Sequence, residues 1–414
     1  MTEIAEGYQQ TEVGLIPIDW EATLLDSVAK RGSGHTPNKK HPEYWDGDIK
    51  WISLRDSDRL DALYIYDTAA KITPAGIANS SAVLHPKGTV VLSRDAGVGK
   101  SSITADVMAV SQHFMAWQCG SQLDNHFLYY WLQAKKSEFE RIAIGNTIKT
   151  IGLPYFKQLK IPLPPLPEQK AIAQALSDAD AAIAELDRLI TKKRNIKQGT
   201  MQQLLTGKKR LPGFSGEWEV KTLEEVSKLS SGTTPSRKLE ERYYLNGNIH
   251  WVKTADLNNS VINYTEEKIT ELALNETCLR KYDIGTVLVA MYGGFNQIGR
   301  TGLLRIAATV NQALIAIQPQ HQTLNPTFLI NYLNFQVCYW KNIAISSRKD
   351  PNITSRDVKN FPIALPSLPE QKAIAQVLTD MDTEIEALEQ KRDKYKAIKQ
   401  GMMQELLTGR TRLV

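Results

Sequence analysis

Residues 163–211 contain LPPLPEQKAIAQALSDAD and end IKQGTMQQLLTGKKRL; residues 365–413 contain LPSLPEQKAIAQVLTDMD and end IKQGMMQELLTGRTRL. The two stretches align without a gap, so the chain is one design written twice, and an internal repeat of this length sets the architecture before any other feature is weighed. Each copy opens on Pro-Glu-Gln, at Pro167 and Pro369. Proline suits a first helical turn because its missing N–H would be unpaired there, and a glutamate beside it complements the helix dipole. Downstream, apolar residues step by four and three: Ile172, Leu176, Ala179, Ile183, Leu186 and Ile190, then Ile374, Leu378, Met381, Ile385 and Leu388. That spacing predicts a coiled-coil seam. The helices should run some 40 residues, about 60 Å, to Gly207 and Gly409, which fit as C-terminal caps.

Charge chooses the direction of pairing. From Glu168 to Asp187 there are five acids and one base, whereas Arg188 to Arg210 holds eight bases and no acid. The second copy repeats the split, net −5 from Glu370 to Glu389 and +5 from Gln390 to Arg412. Parallel helices would set like charge against like; antiparallel helices match each acidic half to a basic half. A competing account is that each helix only complements its own dipole. The expected fold class is α+β: two similar mixed α/β domains, 1–162 and 212–364, separated by long spacer helices at 163–211 and 365–414 that form an antiparallel, pseudo-two-fold coiled coil.

The globular segments repeat more loosely. Trp20, Leu25, Val28, Ser33, Gly34, Thr36 and Pro37 are matched by Trp218, Leu223, Val226, Ser231, Gly232, Thr234 and Pro235, and Trp51, Asp56, Val110 and Gln112 by Trp251, Asp256, Val310 and Gln312. Short β-branched runs such as Gly88 to Leu92 and Gly285 to Val289 read as strands, and Phe127 to Glu140 as a helix. Between matched positions the copies diverge, as expected of two domains reading unlike targets. The net charge of +5 is modest and does not by itself announce a nucleic-acid binder. Three cysteines without CxxC spacing support neither a disulfide framework nor zinc, and the seven histidines form no metal or triad pattern. A polar, acidic N-terminus and the lack of an 18-residue apolar run lead to the expectation of a cytoplasmic protein without a membrane role.

Taken together, GLIPIDWE and FSGEWE, the SGHTP and SGTTP turns, GTVVLS and GTVLVA, and above all the duplicated LPEQKAIAQ resemble the DNA-specificity subunit of type I restriction-modification systems. The resemblance covers nearly the whole chain. It implies two target-recognition domains, each reading one half of a bipartite double-stranded DNA site, with the helices fixing the gap. It also implies two docked methylation subunits supplying S-adenosylmethionine chemistry and two restriction/motor subunits using ATP and Mg²⁺. No cofactor, metal or catalytic residue is then expected on this chain.

Bases are distinguished in the major groove by Arg or Lys at guanine and Asn or Gln at adenine, while cations and small hydroxyls hold phosphates. In the divergent loops such groups are Thr36, Lys39, Lys40, Arg55, Arg94, Lys100 and Lys149 in the first domain. In the second they are Thr234, Arg237, Lys238, Lys253, Tyr292, Asn296, Gln297, Arg300, Arg348 and Lys349. Near the helix C-termini, Met201, Leu204, Leu205, Met402, Met403, Leu406 and Leu407 spread over more than one stripe, so that part of this surface should meet a partner subunit or, equally, the chain's own globular domains.

Three stretches imitate catalytic motifs. RDAGVGKS (Arg94 to Ser101) lacks the first glycine of a phosphate loop and precedes a strand-like run, and its counterpart in the second copy has no lysine. Glu168-Gln169-Lys170 resembles the end of a nuclease motif without its aspartate, and reads better as a helix start. Asn325-Pro326-Thr327-Phe328 echoes an amino-methyltransferase motif without a glycine-rich cofactor loop; a turn is the simpler reading. The alternatives to a specificity subunit are an autonomous DNA-binding or structural coiled-coil protein and an ATPase built on Lys100.

Overall fold

The computed structural model describes residues 6–145, 149–347 and 352–413, leaving aside the side chains of 345–347. The chain forms two compact units: Met1–Asp187 together with Gln390–Val414, and Arg188–Glu389.

Both units are built to one plan. In the first, a five-stranded sheet runs Ala29–Ser33, Phe114–Cys119, Val90–Ser93, Ser101–Thr104, Tyr64–Ile65, and a second sheet places Trp45–Ile52 between Ala70–Ile72 and Met108–Val110. In the second unit the same order is Ser227–Ser231, Leu314–Pro319, Val287–Ala290, Thr301–Leu304, Ser260–Ile262, with Ile249–Val252 between Lys268–Ile269 and Ala308–Val310. Directions agree as well: the last pair of each large sheet is parallel and its other pairs are antiparallel. The central strands Val90–Ser93 and Val287–Ala290 are wholly buried. Their sequences, VVLS and VLVA, apolar but for the final serine of the first, fit a sheet covered on both faces. One covering layer is the helix Asn125–Ala134, or Pro326–Phe335 in the second unit.

Those two helices begin alike. Asp124 accepts hydrogen bonds from the amides of His126 and Phe127, and Asn325 from those of Thr327 and Phe328. Asn-Pro-Thr-Phe is therefore an N-cap followed by a proline in the first turn, which accounts for the residue types without methyltransferase chemistry.

A strand leads directly into each long helix. Lys160–Leu163 pairs with Glu21–Leu24 and Pro362–Leu365 with Glu219–Thr222, after which the helices run Leu166–Leu204 and Leu368–Leu406. Gly207 and Gly409 adopt positive φ just beyond them, as C-terminal caps should. The Pro-Glu-Gln opening is a latch. Gln169 is fully buried; its amide oxygen accepts from the Asp124 N–H, and its nitrogen donates to the Gln122 and Pro164 carbonyls. Gln371 repeats all three bonds with Asn325, Thr323 and Pro366. The neighbouring glutamate is buried too. Glu168 accepts from the Trp20 indole at 3.0 Å and from Arg412 at 2.6 and 2.8 Å, and Glu370 accepts two bonds from Arg210 at 2.5 Å.

Pairing of the long helices is antiparallel in each unit. In the first, partners of Glu168, Asp180 and Asp187 are Arg412, Lys399 and Arg392, one number rising as the other falls. In the second, Lys193, Lys197 and Arg210 pair with Glu384, Asp382 and Glu370. The units divide at Asp187/Arg188 and Glu389/Gln390, where the sign of charge changes, so each unit joins an acidic half-helix to a basic one.

Along the seam, Ile172, Leu176, Leu186, Ile190, Ile374, Leu378 and Ile385 are buried, and Ala179, Ile183, Met381 and Leu388 partly so. Its first turns do more than face another helix. Ile172 and Leu176 belong to the same apolar core as Val90, Trp117, Phe127, Leu406 and Leu407, and Ile374 and Leu378 to that of Val287, Phe328, Leu204 and Leu205. This decides between the two readings of the C-terminal apolar residues. Leu204, Leu205, Leu406 and Leu407 are at most 4 % exposed, and Met201, Met402 and Met403 pack against the same cores. The four leucines are therefore packing residues of the chain's own units and not a partner-subunit surface, while the three methionines are half-buried at the rim of the same cores. More than one stripe is apolar there because the helix end touches both its partner helix and a sheet domain.

Candidate nucleic-acid interface

The candidate site in each unit is an edge built from loops on a fixed frame. The strand Ala29–Ser33 leads into Gly34, where a Cβ would lie 1.6 Å from the Val110 carbonyl oxygen; at Gly232 the distance to the Val310 oxygen is 2.0 Å. Only glycine lets the two backbones approach so closely. The turn is pinned again by an indole, Trp51 donating to the His35 carbonyl and Trp251 to that of Thr233. So held, Thr36 donates its hydroxyl to the Gln112 side-chain oxygen at 2.7 Å, and Thr234 makes the same bond to Gln312. Both glutamines are exposed. Gln112 also contacts the His113 ring nitrogen at 3.4 Å through its amide nitrogen, and an exposed glutamine is the residue type that reads adenine.

In the first unit most of the sequence candidates come together. Thr36, Lys39 and Arg55 line one open cavity of about 470 Å³ with Trp45, Trp51, Ser111 and His113. Lys40 is exposed one residue beyond Lys39. Arg94 reaches this edge through the chain: its N–H donates to the His113 carbonyl, its guanidinium to the Ile151 carbonyl, and the adjoining Asp95 carboxylate accepts from His113 at 2.7 Å. Asp95 also bridges Thr150, placing exposed Lys149 nearby. Lys100 stands apart, its ammonium held by the Ser57 carbonyl at 2.9 Å. The glycine-rich loop around it joins the strands Val90–Ser93 and Ser101–Thr104, so no helix N-terminus is there to receive a phosphate.

The second unit arranges its candidates differently. Arg237 donates to both oxygens of Glu267 at 2.9 and 2.8 Å, and Lys253 meets the same carboxylate at 2.9 Å. The Arg237 guanidinium lies 4.1 Å from the centre of the Tyr244 ring and 5.4 Å from that of Trp251, a cation–π arrangement. Hydrogen bonding from Arg237 holds the Glu267 carboxyl below its usual range, so it is ionised and neutralises one of the two cations. Tyr292 donates to the Gln312 carbonyl at 2.7 Å, and Lys238 and Asn296 are exposed. Gln297 and Arg300 are half-buried at the base of the Gly293-Gly294 loop. Arg348 and Lys349 lie outside the described residues.

Sequence reading passed over Gln112, Gln312, Glu267 and the aromatic rings at this edge. The glutamines carried a usable signal: they are matched between copies whose flanking loops differ. Glu267 had none, since its partners are remote in the chain. Among the described residues no cluster of His, Cys, Asp and Glu is arranged to hold a metal ion, and no helix is long and apolar enough to cross a membrane.

Comparison with known proteins places this frame. The profile of the type I restriction modification DNA specificity domain matches residues 17–197 and again 215–397. The chain belongs to that family. The type I restriction enzyme MjaIX specificity subunit of Methanocaldococcus jannaschii is 26 % identical over 383 residues, which cover 87 % of this chain and 86 % of that one. The EcoR124I/EcoR124II specificity subunit of Escherichia coli is 27 % identical over 62 % of this chain and 63 % of its own. Among solved structures, the S subunit of the type I restriction-modification system from M. genitalium superposes with a TM-score of 0.59 at 17 % identity, covering 94 % of this chain and 96 % of that one. A chain from a study of type I R-M complex assembly and conformational transition gives 0.64 at 19 %, covering 95 % and 99 %.

Proposed function

We propose that this specificity subunit reads a bipartite sequence in double-stranded DNA, one part by each unit, and that the long helices fix the gap and dock two methylation subunits. The methylation subunits carry the S-adenosylmethionine chemistry; two restriction/motor subunits, using ATP and Mg²⁺, join for cleavage. Membership in the family makes DNA sequence specificity the activity and leaves the enzymatic steps to other subunits. The observation that carries the two-part reading is a repeated frame with unlike contents. Gly34 and Gly232, Trp51 and Trp251, and the Thr36–Gln112 and Thr234–Gln312 pairs recur, while Lys39 and Arg55 are exposed in one unit and Arg237 and Lys253 share the Glu267 carboxylate in the other. Equal frames with different loops suit two readers of different bases.

Methylome sequencing of a host expressing the chain with its methylation subunits tests this reading. A single motif with two specified parts and a fixed unspecified gap is expected; exchanging residues 1–162 with 212–364 should exchange the two parts. A motif without a gap, or one unaltered by the exchange, would overturn it. An autonomous DNA binder would instead find its site without methylation subunits.

A further inference from the structure

The two readers differ at one place in their matched frames. Each has two aromatic rings set edge to face at the base of the candidate loops: Tyr244 with Trp251, centroids 5.6 Å apart, and Trp45 with Trp51, 5.2 Å apart. Both outer rings are tied to the same turn, Tyr244 donating to the Pro235 carbonyl and the Trp45 indole to that of Asn38. In the second unit the cradle is filled by a planar group of the chain itself, the Arg237 guanidinium, anchored by Glu267. In the first unit the matching residues are Lys39 and Ala70. Lys39 follows Thr36 as Arg237 follows Thr234, and the Ala70 carbonyl accepts from Thr68 as the Glu267 carbonyl does from Thr265. Without the guanidinium and carboxylate the cradle stays open, and the cavity of about 470 Å³ occupies the place. Its lining adds a second observation: the Ser111 hydroxyl, 1 % exposed, has no hydrogen-bond partner among the described residues. A buried hydroxyl without a partner is costly unless a ligand supplies one.

The geometry points to a nucleobase of the bound DNA, turned out of the helix, as the occupant of this cradle in the first unit. The ligand must be planar to stack on indole and must offer a hydrogen-bonding edge to Ser111, and Lys39 and Arg55, outnumbering Asp46 on the lining, favour an anion beside it; a nucleotide meets all three. Stacking on an aromatic ring and pairing with fixed polar groups offset the cost of unstacking the base. The second unit, its cradle already occupied by Arg237, reads its part of the site without such a pocket. This rests on the DNA-reading role proposed above and adds to it a place and a mode.

The test uses the chain assembled with its methylation subunits and duplexes carrying the motif found by methylome sequencing. At each position of the half-site read by the first unit, only the opposing base is changed, so the base under test is kept but unpaired. One position should then bind about tenfold or more tightly than the matched duplex, because mispairing removes part of the cost of turning the base out. The preference should vanish in Trp45→Ala, and also in the double variant Lys39→Arg with Ala70→Glu, which copies the filled cradle and keeps both rings. Absence of any such position in the unaltered complex, or its persistence in the double variant, would overturn the inference. Failure of the unaltered complex to select the matched motif over unrelated DNA would instead overturn the DNA-reading role itself.

Discussion

Arg412 closes a loop of interactions on Glu168: its Nε and Nη2 donate to the two carboxylate oxygens at 2.6 and 2.8 Å, and its outer nitrogens reach Asp19 at 2.9 and 2.7 Å. Glu168 is fully buried, so removing the arginine leaves a desolvated carboxylate with only the Trp20 indole. Arg412→Ala should lower stability by roughly 1–3 kcal/mol, the range for stranding a buried polar group whose lost partner was itself partly in water. Urea unfolding of the full chain, compared with the unaltered protein by tryptophan fluorescence and circular dichroism, measures it. Arg412→Lys should recover little, since a lysine cannot span both oxygens.

The helix-end leucines and the exposed isoleucines give opposite expectations. Leu205→Ala removes a side chain 1 % exposed and should cost about 2–5 kcal/mol. Ile196→Ala, on the helix that ends just before Leu205 but 44 % exposed, should change stability by less than about 0.5 kcal/mol. Equal effects in chemical denaturation would mean that Leu205 is not a core residue.

Gly34→Ala and Gly232→Ala each force a methyl group onto a backbone carbonyl. The turn carrying Thr36 or Thr234 must shift, at a cost of about 1–3 kcal/mol, and one reader should lose its bases. A methylation assay on site variants should show the specified bases relaxing in one part of the motif for each substitution. Loss of both parts from a single substitution would contradict independent readers.

Glu267→Gln should free Arg237 and Lys253 from their shared carboxylate. Two more cations at the candidate edge would strengthen binding to unrelated DNA and steepen the dependence of log K on log salt by about 1–2, near 0.9 for each additional phosphate neutralised. Titrations of nonspecific duplex at several salt concentrations measure the slope. An unchanged slope would place these cations away from DNA.

The long helices were legible because their signals are local and written twice: a proline-led first turn, a four-three apolar step and a reversal of charge at mid-helix. The latch was half legible. Pro167 and Pro369 gave the helix starts, but nothing in Glu-Gln told that both side chains would be buried against Trp20, Asp124 and Arg412, which are distant in sequence. The C-terminal leucines were ambiguous for a similar reason, since an apolar surplus on a helix does not name what covers it. At the candidate interface, Thr36, Lys39 and Arg55 were found by residue type. The pairing of Arg237 and Lys253 with Glu267 was not, because it depends on a sheet register that brings 237, 253 and 267 to one point.

The division of the units at mid-helix bears on how the protein is made. Residues 188–389 form an uninterrupted stretch, so the second unit has all its parts once the ribosome has passed Glu389. The first unit does not: Leu406, Leu407 and Arg412 come after the whole second unit in the chain, and until they emerge Ile172, Leu176 and Glu168 lack their covering. The earlier-born unit is thus completed after the later-born one, and a stop codon placed between Gln390 and Leu406 would strike the N-terminal reader first.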